Sequence, residues 1–366
     1  MIKPLIVKEL RSLTELKKTE RLWHIPLLTS FCVGIPLLTG FFIENLEAGI
    51  LACLGGFVIL YMPLKHMENR VITLVLCSVG FVLSFIIGSV FSYNYFISSA
   101  VLGVFAFSIN WFVNYFRLAA PGNFFFIMIA SMSGCMNFDV HNLASKVGCF
   151  TMGTIFACLL GFCYSLYITK KYTPSRGGII YLKKGFVNFT ESLTFGVFMA
   201  ASILIGHLFE LSNPYWIPIS CLAVMQGVSL RYTWHRSVHR IAGTFIGIGL
   251  TWVLLHFELT PLHICISIFI LQFIVEMLMP RHYALAVIFI TPLTLFLADL
   301  GNGGPNDVNR LILVRTCDIT LGSLLGALGG WILHNQQIHL KAERQIRKTR
   351  VVFLKKRFKR VSKIVS

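Results

Sequence analysis

Long apolar stretches follow one another along almost the whole chain, each close to the length of a bilayer crossing and each closed by a short polar break. A helix needs about 20 apolar residues to cross the hydrocarbon core. On that measure the pattern predicts spans near 22–43, 47–64, 70–92, 95–116, 119–136 and 141–168. A second set is predicted near 185–209, 214–230, 240–258, 261–279, 282–299 and 307–334. Breaks such as Asn213-Pro214 and Pro280-Arg281-His282 separate them. The expected fold is an all-α integral membrane protein of about 12 transmembrane helices.

The two sets repeat. Cys53-Leu54 matches Cys221-Leu222 at a shift of 168, and Arg70 matches Arg240 at 170. Lys146, Gly153, Ala157 and Gly161 match Arg315, Gly322, Gly326 and Gly330 at 169. Six spans per half give both halves one orientation, hence two parallel six-helix repeats, and transporters often place their substrate path at such an interface. The expected organisation is a basic amphipathic N-terminus (1–21), a first repeat (22–168), a basic linker (169–184), a second repeat (185–334) and a basic amphipathic tail (335–366).

Composition agrees: 56% of the 366 residues are hydrophobic and 13% charged, against roughly 25% charged in soluble domains. The net charge of +17 does not point to nucleic acid, because the cations sit between the apolar stretches and at the chain ends. With both termini placed in the cytoplasm, 29 of the 32 Lys and Arg fall on that side, leaving Lys146, Arg310 and Arg315. The positive-inside rule then predicts a multi-pass protein of the bacterial inner membrane with cytoplasmic termini. The basic start lacks a small-residue cleavage site and reads as a retained segment. The tail, with Ile346, Phe353, Leu354, Phe358 and Val361 among its cations, reads as a helix lying on anionic lipid. The ten cysteines form no CxxC pair and read as small buried hydrophobes.

Candidate chemistry is concentrated in the sixth and twelfth spans. Gly153, Ala157 and Gly161, and likewise Gly322, Gly326 and Gly330, recur every four residues, a face that lets helix backbones approach closely. Seven residues before each stripe stands a cation, Lys146 or Arg315, so a repeat-related pair of cations would attract an anion. Charges at such depth face a partner or a watery cavity, or snorkel to the headgroups. Asp318, three residues after Arg315, offers either an i,i+3 ion pair that neutralises it or a proton-coupling carboxylate. Gln226 is an interhelical hydrogen-bond donor or a ligand along the path. His235 and His239 have metal-pair spacing without the HExxH glutamate, and no metal or cofactor is expected. No Walker loop and no G-x-S-x-G elbow occurs, so the chain is not read as an enzyme.

The run Asn213-Pro214-Tyr215-Trp216-Ile217-Pro218-Ile219-Ser220, then Gln226, then Arg236-Ser237-Val238-His239-Arg240-Ile241-Ala242-Gly243-Thr244-Phe245-Ile246-Gly247, resembles the signature of the fusaric acid resistance and aromatic acid exporter family. Arg315-Thr316-Cys317-Asp318 followed by Gly322 resembles that family's closing pattern. The resemblance implies efflux of organic, often aromatic, carboxylates. It also implies distant kinship to plant aluminium-activated malate channels, in which two six-helix subunits enclose an anion path. The expected function is export of an organic anion between the repeats. Arg315, Lys146 and Asp318 would act on the carboxylate, and Tyr215, Trp216 and Gln226 would line the path. A passive anion channel and a non-transporting scaffold are the alternatives. The expected partners are lipid and a small organic anion, with a homo-oligomer as a further option.

Overall fold

The computed structural model describes residues 19, 22–63, 67–116, 118, 120–136, 139–171, 186–256, 259–301, 308–335 and 337. The expected N-terminal segment, linker and tail lie almost wholly outside these. The described residues form helices and contain no strand. The first half holds α1 (His24–Phe42), α2 (Leu46–Gly56, continued by a 3-10 turn at Phe57–Tyr61), α3 (Met67–Val90), α4 (Tyr95–Phe116), α5 (Phe124–Ser133) and α6 (Val140–Lys171). The second holds α7 (Phe186–Leu208), α8 (Trp216–Met225), α9 (Leu230–Leu255), α10 (Pro261–Leu278), α11 (Tyr283–Gly301) and α12 (Val308–His334).

Among the described residues nine helices are long and apolar enough to cross a membrane. Their outer faces are apolar too. On α3, Ile72, Leu76, Val79 and Leu83 are exposed while Leu74, Cys77, Phe81 and Phe85 are buried on the opposite side. A helix apolar all round belongs in lipid or in a core. This is a multi-pass, all-α membrane protein.

Three expected spans come out shorter. The stretches 119–136 and 214–230 contribute only α5 and α8, of 10 residues each, and the second span is divided between α2 and its 3-10 turn. Ten residues rise about 15 Å, half the hydrocarbon thickness. Every residue of α8 is buried, so its ends need not meet lipid. Irregular backbone at membrane depth is tolerated where protein encloses it. Around α8 the turns satisfy themselves, with Trp216 N–H donating to the Asn213 carbonyl at 3.1 Å and Gly227 N–H to that of Val224 at 3.1 Å. The ninth element departs in the other direction. It begins ten residues before the expected 240, because Ser229 caps it by accepting from the Tyr232 amide. The basic stretch expected as a loop is therefore helical.

Helix pairings recur between the halves. α2 lies along α6 and α8 along α12; α3 packs on α5 and α6, and α9 on α11 and α12. α4 crosses to α7, and α10 crosses back to α1. The glycine contacts set the directions. Ala52 meets Gly153 and Ile59 meets Gly161, so α2 and α6 run parallel; Ile217 meets Gly322 and Cys221 meets Gly326, so α8 and α12 do as well. Left-handed backbone at Glu44 (φ 58°) and Glu210 (φ 49°) ends the first helix of each half. The fourth helices are exchanged, so one core joins α1, α2, α3, α5 and α6 to α10 and α11, and a second joins α4 and α5 to α7 and α8.

Candidate functional site

The small-residue stripes do close helix pairs. A Cβ on Gly153 would fall on the Ala52 carbonyl oxygen, and one on Gly326 would lie 2.7 Å from that of Cys221. Gly322 faces the Ile217 carbonyl, Gly330 meets Thr233, Gly161 meets Leu74 and Ile59, and Ala157 is fully buried. The packing seats the start of α8 against the middle of α12, and there Arg315 meets Trp216.

Arg315 is 2% exposed, and its guanidinium carbon lies 3.4 Å from the centre of the Trp216 ring. Such a stack, dry, is worth about 2 kcal/mol. Nη2 of Arg315 donates to Thr294 Oγ1 of α11 at 2.9 Å, while Nε and Nη1 are enclosed without a hydrogen-bond partner. Tyr215 packs beside Trp216 with ring centres 5.0 Å apart, and lies within electrostatic reach of Arg315 and Asp318. Asp318 is fully buried, and neither of its carboxyl oxygens has a partner. The expected i,i+3 ion pair is not made: no Arg315–Asp318 nitrogen–oxygen contact falls within 4 Å among the described residues. α12 points the arginine at α8 and α11, and the carboxyl does not follow it. The result is a buried cluster with unused donors, unused acceptors and two aromatic rings.

Lys146 does not join this group. Its Nζ pairs with Glu47 of α2 at 3.2 Å, and both side chains reach the surface, at 26% and 71% exposure. Lys146 and Arg315 occupy corresponding places seven residues before a small-residue stripe, but their surroundings differ in chemistry. Where the second half offers Trp216 to an arginine, the first offers an acid to a lysine, which neutralises it. No symmetric pair of free cations forms. Gln226 stands at the far end of α8, about 15 Å along the helix from Trp216. Its Nε2 donates to the Asn123 side chain (3.2 Å) and the Pro121 carbonyl (3.3 Å). Asn123 Nδ2 donates to Asn110 Oδ1 at 2.8 Å, and Asn110 Nδ2 to Ser192 Oγ at 3.1 Å. Gln226 therefore ties the end of α8 to the start of α5 and, through Asn123 and Asn110, to α4 and α7.

Two buried cations were missed at the sequence level. Arg240, counted there as a loop charge, is 5% exposed inside α9. Its Nη2 donates to Ser220 Oγ of α8 at 3.3 Å and its Nη1 to the Tyr283 hydroxyl of α11 at 3.2 Å. The repeat mate Arg70 is also 5% exposed, with Nε and Nη1 unpartnered. The signal was available: each arginine is followed within its helix by turns that carry small residues, Cys77, Ser78 and Gly80 after Arg70 and Ala242, Gly243 and Gly247 after Arg240.

The side chains named around Arg315 lie in or next to α8, α9, α11 and α12, and the comparisons fall on the same stretch. Residues 199–329 match the family described as fusaric acid resistance protein-like. The matched stretch spans about a third of the chain. It contains Tyr215, Trp216, Arg240, Tyr283, Thr294, Arg315 and Asp318. The uncharacterized membrane protein YvaC of Bacillus subtilis (strain 168) is 36% identical over 143 residues, which is 39% of this chain and 22% of that protein. The chain thus matches about a fifth of the length of that curated relative. No solved structure matches the chain.

Proposed function

We propose that the protein exports organic carboxylate anions, aromatic ones among them, across the bacterial inner membrane. Arg315 takes the carboxylate, and Trp216 and Tyr215 flank the attached group. The observation that carries this reading is the arginine itself: fully enclosed, clamped on an indole, and left with two unpartnered nitrogens inside the fusaric acid resistance protein-like region. Charge at that depth is costly unless it serves a partner or a pathway. Carboxylates accept charge-assisted hydrogen bonds from guanidinium, and these are roughly twice as strong as neutral ones.

The path runs through α8, α9, α11 and α12 of the second half, because the groups that would meet an anion all lie there. Asp318 favours an exporter over a passive channel. Its carboxyl, buried without a partner one turn beyond Arg315, is a group that can take up a proton as the substrate carboxylate binds beside it. The cytoplasmic placement of both termini follows from the cation bias and belongs to this reading. The test is flux in proteoliposomes against a panel of aromatic and aliphatic carboxylates, with and without a pH gradient. Saturable, gradient-driven movement of benzoate supports the exporter. Gradient-independent movement supports the channel, and no movement of any carboxylate defeats both.

A further inference from the structure

The function proposed above leaves Arg236-Ser237-Val238-His239-Arg240 unused. In the structure these residues occupy the first turns of α9 against the start of α11. The guanidinium carbon of Arg236 lies 4.4 Å from the centre of the Tyr283 ring, and Arg240 donates to the hydroxyl of the same tyrosine at 3.2 Å. His239 stacks on His282, ring centres 5.3 Å apart at 29°. Arg240 forms a buried floor, while Arg236, His239 and His282 are half-buried around it.

Three nitrogens from three side chains are enclosed here without a partner: Nε of Arg236, Nε2 of His239 and Nε of Arg240. None of these three residues forms an ion pair among the described residues. The two terminal nitrogens of Arg240 meet hydroxyls and His282 Nδ1 accepts from the Leu285 amide at 3.3 Å, but those contacts leave the three enclosed nitrogens unexplained. Basic groups at helical spacing repel one another and lose hydration, and neutral hydroxyls offset little of that. An oxyanion seated among them would satisfy the idle donors and balance the charge.

The cluster is also placed in line with Arg315. Ser220, the α8 partner of Arg240, follows Trp216, the α8 partner of Arg315, by one helical turn, about 6 Å. Arg236 lies a further turn out along α9. We infer that Arg236, His239, Arg240 and His282 form a second oxyanion station, which receives the carboxylate of the transported acid from the end of the molecule where α9 and α11 begin and passes it to Arg315. This rests on the reading of Arg315 as the carboxylate site. Adjacent stations suit conduction, which needs binding good enough to enter and weak enough to leave.

The test uses the full chain in nanodiscs with histidine nitrogens labelled for NMR, titrated with benzoate. His239→Asn and His282→Asn assign the two signals. The station requires that benzoate shift both signals saturably in the wild type and in Arg315→Gln. Arg236→Gln and Arg240→Gln should each raise the half-saturating concentration by about tenfold or more, the loss expected for a hydrogen bond to a charged group. If Arg240→Gln does not fold, the half-buried Arg236→Gln carries the comparison. Histidine signals that ignore benzoate, or that respond equally in Arg236→Gln, overturn the second station. Flux through Arg315 is read separately, so that loss leaves the first site standing; normal flux in Arg315→Gln removes the first site instead.

Discussion

Asp318 lies one turn beyond Arg315 on α12, yet no ion pair joins them: both carboxyl oxygens and two of the guanidinium nitrogens are buried without partners. Removing one member of a buried ion pair costs about 3–5 kcal/mol. Here no such pair exists to break. Asp318→Asn should therefore keep the melting temperature in detergent close to that of the wild type. A large drop that Arg315→Gln restores would show a salt bridge instead.

Lys146 is neutralised by Glu47 near the surface. Exposed ion pairs are worth about 0–1 kcal/mol. Lys146→Gln should fold normally and should change carboxylate flux less than about twofold, since a pair this weak holds little of the structure. Flux abolished at unchanged protein level would restore Lys146 as a second substrate cation.

The expected spans were legible because bilayer crossing imposes a length, and apolar length is read directly from a chain. α5 and α8 were not, because a helix buried on all sides carries no period to show where it stops: all of Trp216–Met225 is buried. Arg240 was misplaced for a related reason. Its cationic neighbours resemble a positive-inside loop, and only the Ser229 cap brings them into α9. The stacking of Arg315 on Trp216 and the pairing of Lys146 with Glu47 both join residues far apart in the chain. The small-residue stripes predicted that helices meet there, but not which side chains flank the contact.

Gln226 links α8 to the first half through Asn123 and Asn110. Gln226→Ala strands those amides, and a buried polar group left without a partner costs about 1–3 kcal/mol. The variant should melt earlier while its half-saturating benzoate concentration in flux assays stays that of the wild type. A shifted concentration with unchanged melting would make Gln226 a ligand.

The glycines differ in what they tolerate. Gly153 abuts the Ala52 backbone, whereas a Cβ on Gly148 or Gly249 would meet nothing within 4 Å. Gly153→Ala should lower yield and melting temperature, and Gly326→Leu should do so more severely, because a backbone neighbour cannot move aside. Gly148→Ala and Gly249→Ala should match the wild type in both. Normal folding of Gly153→Ala would mean that α2 and α6 are not in close contact.

The central claim is that Arg315 binds the transported carboxylate, and benzoate flux in proteoliposomes tests it most directly, with reconstituted protein and melting temperature measured in the same samples. The account predicts no flux in Arg315→Gln at unchanged protein amount. It predicts weak residual flux in Arg315→Lys, which keeps a charge but cannot stack flat on Trp216 or present the same fork of donors. Flux in Arg315→Gln equal to that of the wild type would contradict it.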